Sequence, residues 1–159
     1  MTLTRSAIIV EARSWIGTPY RHQASLKGVG CDCLGLVRGV WRALYGSEPA
    51  VAPPYSRDWA EASGAESLAA AARAHLIEVA PCLPSPASGG GLGWGPGDVL
   101  LFRYRDRFPA KHAAIVTACG ADSALMVHAH DGAAVAEVAI APWWRRRLAY
   151  AFRFPGVTD

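Results

Sequence analysis

Apolar residues in the first part of the chain recur at helical spacing. Ala7, Ile8, Ala12, Trp15 and Ile16 form one stripe within residues 4–16, interrupted by Glu11. Thr4 can cap this helix, and Gly17-Thr18-Pro19 ends it. A loop of Gly, Lys and Ser then runs to Gly30. A second helix starts at Asp32 or Cys33, places Leu34, Val37, Trp41 and Leu44 on one face, and stops at Gly46. From Asp98 onward the period shortens to that of strands: Val99–Tyr104, Ala113–Cys119, Ala124–His130, Ala133–Ile140 and Leu148–Phe154. Helices first and strands afterwards predict an α+β domain, its N-terminal helices packed on one side of a C-terminal antiparallel sheet. Residues 47–97 break this regularity. Pro49, Pro53 and Pro54 interrupt the chain, Ser67–Val79 is helical by propensity, and Pro84–Pro96 reads as a linker or mobile loop. We therefore expect residues 1–159 to form one domain with a variable insert at about 47–97.

Composition narrows the class. Of 159 residues, 52% are apolar and 18% charged, a globular profile with room for a full core. A net charge of +3 is too mild to argue for nucleic acid. No apolar run is long enough to span a membrane, so no membrane insertion is expected. The run Ala7–Val10 is too short for a signal peptide and is followed by Glu11 and Arg13, so synthesis and folding in the cytoplasm are expected. The cysteines, at 31, 33, 82 and 119, lack paired zinc-site spacing, and Cys31 and Cys33 are too close for a routine disulfide. Free thiols and no metal are expected. Cys31 reads as packed near the loop, and Cys82 and Cys119 as structural. The glycines at 89–91 lack the Lys-Ser/Thr sequel of a phosphate loop, and no organic cofactor is implied.

Chemistry gathers at Asp32-Cys33-Leu34. A cysteine in the first turn of a helix lies at the positive end of the helix dipole, which favours the thiolate near neutral pH. Such a nucleophile needs a base and a third group to orient it. If residues 112–119 and 124–131 pair through the turn at Gly120–Ser123, His112 lies opposite His130 and Ala114 opposite His128. All three histidines then share one face, with His128 diagonal to His112. His112 is the candidate base, His128 the orienting group and His130 its competitor. The Cys33 backbone N–H can help hold an oxyanion. Asp32 can cap the helix or hold a cationic group of a substrate. His22 and His75 read as surface residues. Trp143-Trp144-Arg145-Arg146-Arg147 is either a patch for an acidic polymer or protein partner, or a solvated turn whose tryptophans close the core.

Five segments together resemble the NlpC-type cell-wall peptidases, papain-like cysteine peptidases that cut peptidoglycan stem peptides. They are Gly17-Thr-Pro-Tyr20, Asp32-Cys-Leu-Gly-Leu36, Gly97-Asp-Val-Leu-Leu-Phe102, His112-Ala-Ala-Ile-Val116 and Val127-His-Ala129. Residues 15–25 and 28–37 resemble the branch carried by bacteriophages and gene transfer agents. The resemblance implies Cys33 as nucleophile, His112 as base and His128 as the polar third member. It places the Tyr20 hydroxyl near the oxyanion and Asp32 at the free amine of a stem peptide. Leu34 stands where many relatives have Ser, and Arg21-His22 where many have a Gly pair, so both positions bear on substrate choice. The implied partners are peptidoglycan stem peptides and phage-like tail proteins, and the implied location is a phage-like tail particle. An N-acetylmuramoyl amidase or acyltransferase with the same site, or a non-catalytic tail-assembly protein, are the alternatives.

Overall fold

Thr4 caps the first helix as its position predicts. Its Oγ1 accepts the Ala7 N–H at 3.1 Å, and α1 runs Arg5–Ser14 with Ile8 and Ala12 buried. The fold comes from a computed structural model that describes residues 2–50, 55–56, 64–82, 93–120 and 123–159. Pro53, Pro54, most of the 84–96 linker with its glycine run, and the tip of the 120–123 turn lie outside the described residues.

The loop after α1 is more ordered than its Gly, Lys and Ser content suggests. Strands β1 (Ser25–Leu26) and β2 (Gly30–Cys31) pair antiparallel and deliver the chain to α2, Cys33–Tyr45. Gly46 ends α2 as expected. The buried face of α2 is Gly35, Leu36, Gly39 and Val40, whereas Leu34, Val37, Trp41 and Leu44 are half-buried. The apolar stripe is thus rotated from the expected one, because the two glycines allow close approach. A Cβ at Gly35 would lie 1.9 Å from the Ala24 carbonyl oxygen, and one at Gly39 would lie 2.0 Å from the Trp15 ring. The glycines outrank the larger side chains in setting which face packs.

The insert holds α3, Ser67–His75, and then departs from expectation. Helical propensity extends the helix to Val79, but Leu76 turns extended and Ile77–Val79 form strand β3. Two β-branched residues and an open sheet edge outweigh the alanine run before them. β4 (Val99–Phe102), β5 (His112–Cys119), β6 (Ala124–His128), β7 (Ala136–Ala139) and β8 (Leu148–Arg153) complete an antiparallel sheet in the order β3-β8-β4-β5-β6-β7. A one-turn helix, α4 (Pro142–Arg145), joins β7 to β8. The sheet is covered on both faces. Val99, Leu101, Ala113 and Ile115 join the core with α1 and α2, while Leu100, Phe102, Ala114, Val116 and Met126 pack with Trp94, Ile140 and Trp144.

Register near the histidines is the expected one, with Ile115 opposite Val127 and Val116 opposite Met126. An irregularity between Val116 and Ala118 shifts it toward the turn, away from His112. Asp98 fastens the sheet to α1. Fully buried, its carboxylate accepts from Arg5, Arg153 and the Gly95 N–H.

Candidate active site

Cys33 is the first residue of α2, and Asp32 is its cap. Asp32 Oδ1 accepts the Gly35 N–H at 2.7 Å; Oδ2 accepts the Gln23 N–H at 2.7 Å and the Tyr55 hydroxyl. The carboxylate is 2% exposed with every contact satisfied. Gln23 holds a left-handed backbone (φ +66°) to aim its N–H at Asp32. The Tyr55 carbonyl in turn accepts from His22 Nε2 at 2.8 Å and from the Gln23 side chain. His22 is therefore half-buried against this web, with Nδ1 3.9 Å from Asp32 Oδ2, and not a plain surface residue.

His112 opens β5, and His128 closes β6. Both are buried, and His112 Nε2 lies 2.9 Å from His128 Nδ1. His130 is exposed and turns its Nδ1 to the Asp131 carbonyl at 3.2 Å. The diagonal partner within hydrogen-bond distance of His112 is therefore His128. Aromatic rings hold both imidazoles. Trp144 stacks on His112 (centroids 5.0 Å apart, planes 24° apart) and meets His128 edge-on at 5.4 Å. Tyr104 lies 5.7 Å from His112 on another side.

These groups meet in a cleft of about 290 Å³, lined by Tyr20, Asp32, Cys33, Leu34 and His112, and also by His22, Tyr55, Tyr104, Lys111 and His130. The Cys33 thiol is 3.7 Å from the Lys111 carbonyl, the residue just before His112. Leu34 and Tyr55 also border an apolar hollow of about 310 Å³ between α2 and α3. Sequence reasoning missed Tyr55, Tyr104 and Trp144. Cys31 is buried as expected, but Cys82 and Cys119 are exposed and do not serve the core. Among the described residues no group of three or more His, Cys, Asp or Glu is arranged to hold a metal ion, and no helix is long and apolar enough to cross a membrane.

The expectation of a resting thiolate is corrected by its surroundings. Burial, and then the adjacent Asp32 carboxylate, push the Cys33 thiol up to about 11, outweighing backbone N–H groups of Cys33, Leu34 and Ala113 that favour the anion. Burial and the neighbouring imidazoles hold His112 well below its ordinary value, and His128 is brought down to about 4. These surroundings favour the neutral thiol and the neutral imidazole, and the two side chains line the same cleft.

Comparison with solved structures bears on the fold. The chain superimposes on the NlpC/p60 domain of the peptidoglycan hydrolase SagA with a TM-score of 0.58 at 20% identity, over 96% of this chain and all of that one. The fold is that of an NlpC/p60 domain. A Staphylococcus aureus protein described as similar to a lipoprotein of the NLP/P60 family gives a TM-score of 0.57 at 19% identity, over all of this chain and 44% of that one. Ly7917 gives 0.57 at 12% identity, over 96% of this chain and 63% of that one; it has also been solved with the hydrolysis product of MDP. The chain thus spans the SagA domain in full but under two thirds of the other two proteins. No family model and no curated protein sequence matches it. In this NlpC/p60 fold, helix start and strand start meet at the cleft, and the two supply its thiol and imidazole.

Proposed function

We propose that the chain is a cysteine peptidase of the NlpC/p60 type that hydrolyses amide bonds in peptidoglycan stem peptides. The observation that carries this reading is the buried 2.9 Å contact between His112 and His128, beside a cysteine at a helix start in the same cleft. With Nε2–H donated to His128 Nδ1, His112 keeps its Nδ1 lone pair for the thiol. Cys33 passes its proton to that nitrogen as sulfur attacks the carbonyl carbon. The tetrahedral oxyanion is held by the Cys33 N–H with the Tyr20 hydroxyl. Collapse breaks the C–N bond, His112 returns the proton to the departing amine, and water hydrolyses the thioester. His128, neutral down to about pH 4, stays an acceptor throughout.

Asp32 and Leu34 contribute to substrate choice in this reading. Asp32 and Asp131 are carboxylates that line the cleft. Asp32 attracts the free amine of a stem peptide through its charge while it stays bonded to Gly35, Gln23 and Tyr55, and Leu34 offers an apolar wall. The bond cut lies within the stem, in preference to the muramoyl amide. Delivery by a phage-like tail particle is the route we propose, supported by the phage-branch resemblance of residues 15–25 and 28–37.

Mass spectrometry of defined peptidoglycan fragments incubated with wild type and Cys33→Ala tests the reading. Cleavage within the stem by wild type alone is expected. Release of whole stems would establish an amidase, and equal products from both proteins would remove Cys33 from the chemistry.

A further inference from the structure

Arginine pairing divides the molecule. Away from one edge, Arg5 and Arg153 share Asp98, Arg38 and Arg42 share Glu48, Arg13 meets Glu137 and Arg73 meets Glu78, with Arg21 the exception among described arginines. The loop 103–111 and the segment 142–147 behave differently. Together they hold seven of the chain's 16 basic side chains and one of its 13 acidic ones, a surplus of six on a chain of net charge +3. Arg103 is neutralised by Glu66. Arg105, Arg107 and Arg146 are exposed and have no ion pair among the described residues. Among the described residues, Arg145 and Arg147 donate to the carbonyls of Ile140, Tyr104 and Trp143, neutral acceptors that leave the charge uncompensated.

The two segments form one edge. The Arg103 N–H donates to the Arg147 carbonyl at 2.9 Å, and Tyr104 lies 6.3 Å from Trp143. Trp143 is 43% exposed with the Arg147 guanidinium 3.8 Å from its centroid, and Phe108, next to Arg107 in sequence, is 38% exposed. This edge is continuous with the catalytic cleft, because Tyr104 and Lys111 line both. Clustered like charges raise the energy of the free protein and are relieved by a multivalent anion, for which planar guanidinium groups are the suited ligands. Exposed indole beside them suits the face of a sugar ring.

We propose that this edge binds a linear polyanionic glycan of the cell wall, one bearing phosphate or carboxylate groups, and so seats the cleft on its substrate. The proposal rests on the cell-wall reading above for the polymer's location, and on the charge pattern for its chemistry. Binding of full-length Cys33→Ala to phosphomannan, to polygalacturonate, to neutral dextran and to duplex DNA is measured across a salt series. At about 50 mM salt, one or both acidic polymers are expected to bind and dextran not to. Combined Arg105→Glu, Arg107→Glu and Arg146→Glu is expected to weaken that binding about tenfold or more and to lower the salt slope by about 2. In the Cys33 background, the same triple variant should turn over a soluble stem peptide at the wild-type rate and digest intact sacculi more slowly. The phosphate and carboxylate arms separate the two kinds of polymer. Unchanged affinity and slope in the triple variant overturn the proposal, as does equal binding of dextran, and tighter binding of DNA replaces the glycan with nucleic acid. Since binding is read without turnover, a failure of the peptidase reading shows separately, as an inactive wild type that still binds.

Discussion

On the helix side of the cleft, Cys33 is positioned by a polar web; on the sheet side, His112 is positioned by stacked rings. Asp32 accepts from the Gly35 and Gln23 N–H groups and from Tyr55, which fixes the first turn of α2 and its backbone donors. His112 makes a hydrogen bond to His128 and is otherwise enclosed by Trp144, Phe102 and Tyr104. The difference follows from what each group must do. A nucleophile at a helix start needs backbone N–H groups aimed at a developing oxyanion, and hydrogen bonds aim them. A base must stay neutral and keep one ring plane, and a dry aromatic surround does both.

Removing the centre of the polar web has the largest expected effect. Asp32→Ala deletes the cap of α2 and removes the Asp32 acceptor from the part-buried bonds of the Gln23 N–H and the Tyr55 hydroxyl, so a loss of about 3 kcal/mol is expected in urea unfolding. A loss under about 1 kcal/mol would show that the web does not hold the nucleophile side together. The aromatic side is expected to respond in rate more than in stability. Trp144→Leu frees both imidazole planes and should lower kcat about tenfold with KM little changed, equivalent to about 1.4 kcal/mol. Trp144→Phe, which keeps a stacking face, should recover most of that loss. Wild-type kcat in a folded Trp144→Leu protein would mean that the stack is packing alone.

The smallest effect expected is near constancy between pH 7 and 9. The one-proton state of the pair is bounded below by depressed imidazoles and above by a thiol near 11, so activity should form a broad plateau. An acid limb at or above 6.5 would contradict the dry setting of His112. Stability has the same sign. Both histidines have folded values below the ordinary 6.5, so the unfolded chain binds more protons in this range. Their contribution is complete above about 6.5 and is lost as pH falls through the depressed folded values, about 4 for His128. Urea midpoints across pH 4–8 check the direction.

Local patterns explain which parts of this arrangement were readable in advance. The cap at Asp32, the start of α2, the strand alternation and the register that brings His128 to His112 are all set within a few residues of themselves. The rotated face of α2 was hidden because glycines carry no hydropathic signal, yet they decide how closely Ala24 and Trp15 approach. β3 was hidden because its partner, β8, lies more than 70 residues away in sequence. Tyr55 and Trp144 reach the site from an irregular segment and a one-turn helix, neither of which has a period to read. Tyr104 was nearer to legible, since the expected strand Val99–Tyr104 ends on it and Phe102, where β4 stops, pairs with His112. The thiolate expectation failed because the helix dipole was weighed without the burial and the carboxylate beside it.

His112 begins a strand bonded on both sides, to β4 and β6, whereas Cys33 begins a helix that touches the sheet from above. Opening a helix end costs less free energy than opening an inner strand, so the two partners belong to units of unequal hydrogen-exchange protection. Gentle warming is therefore expected to speed amide exchange in α2 before it does so in β5.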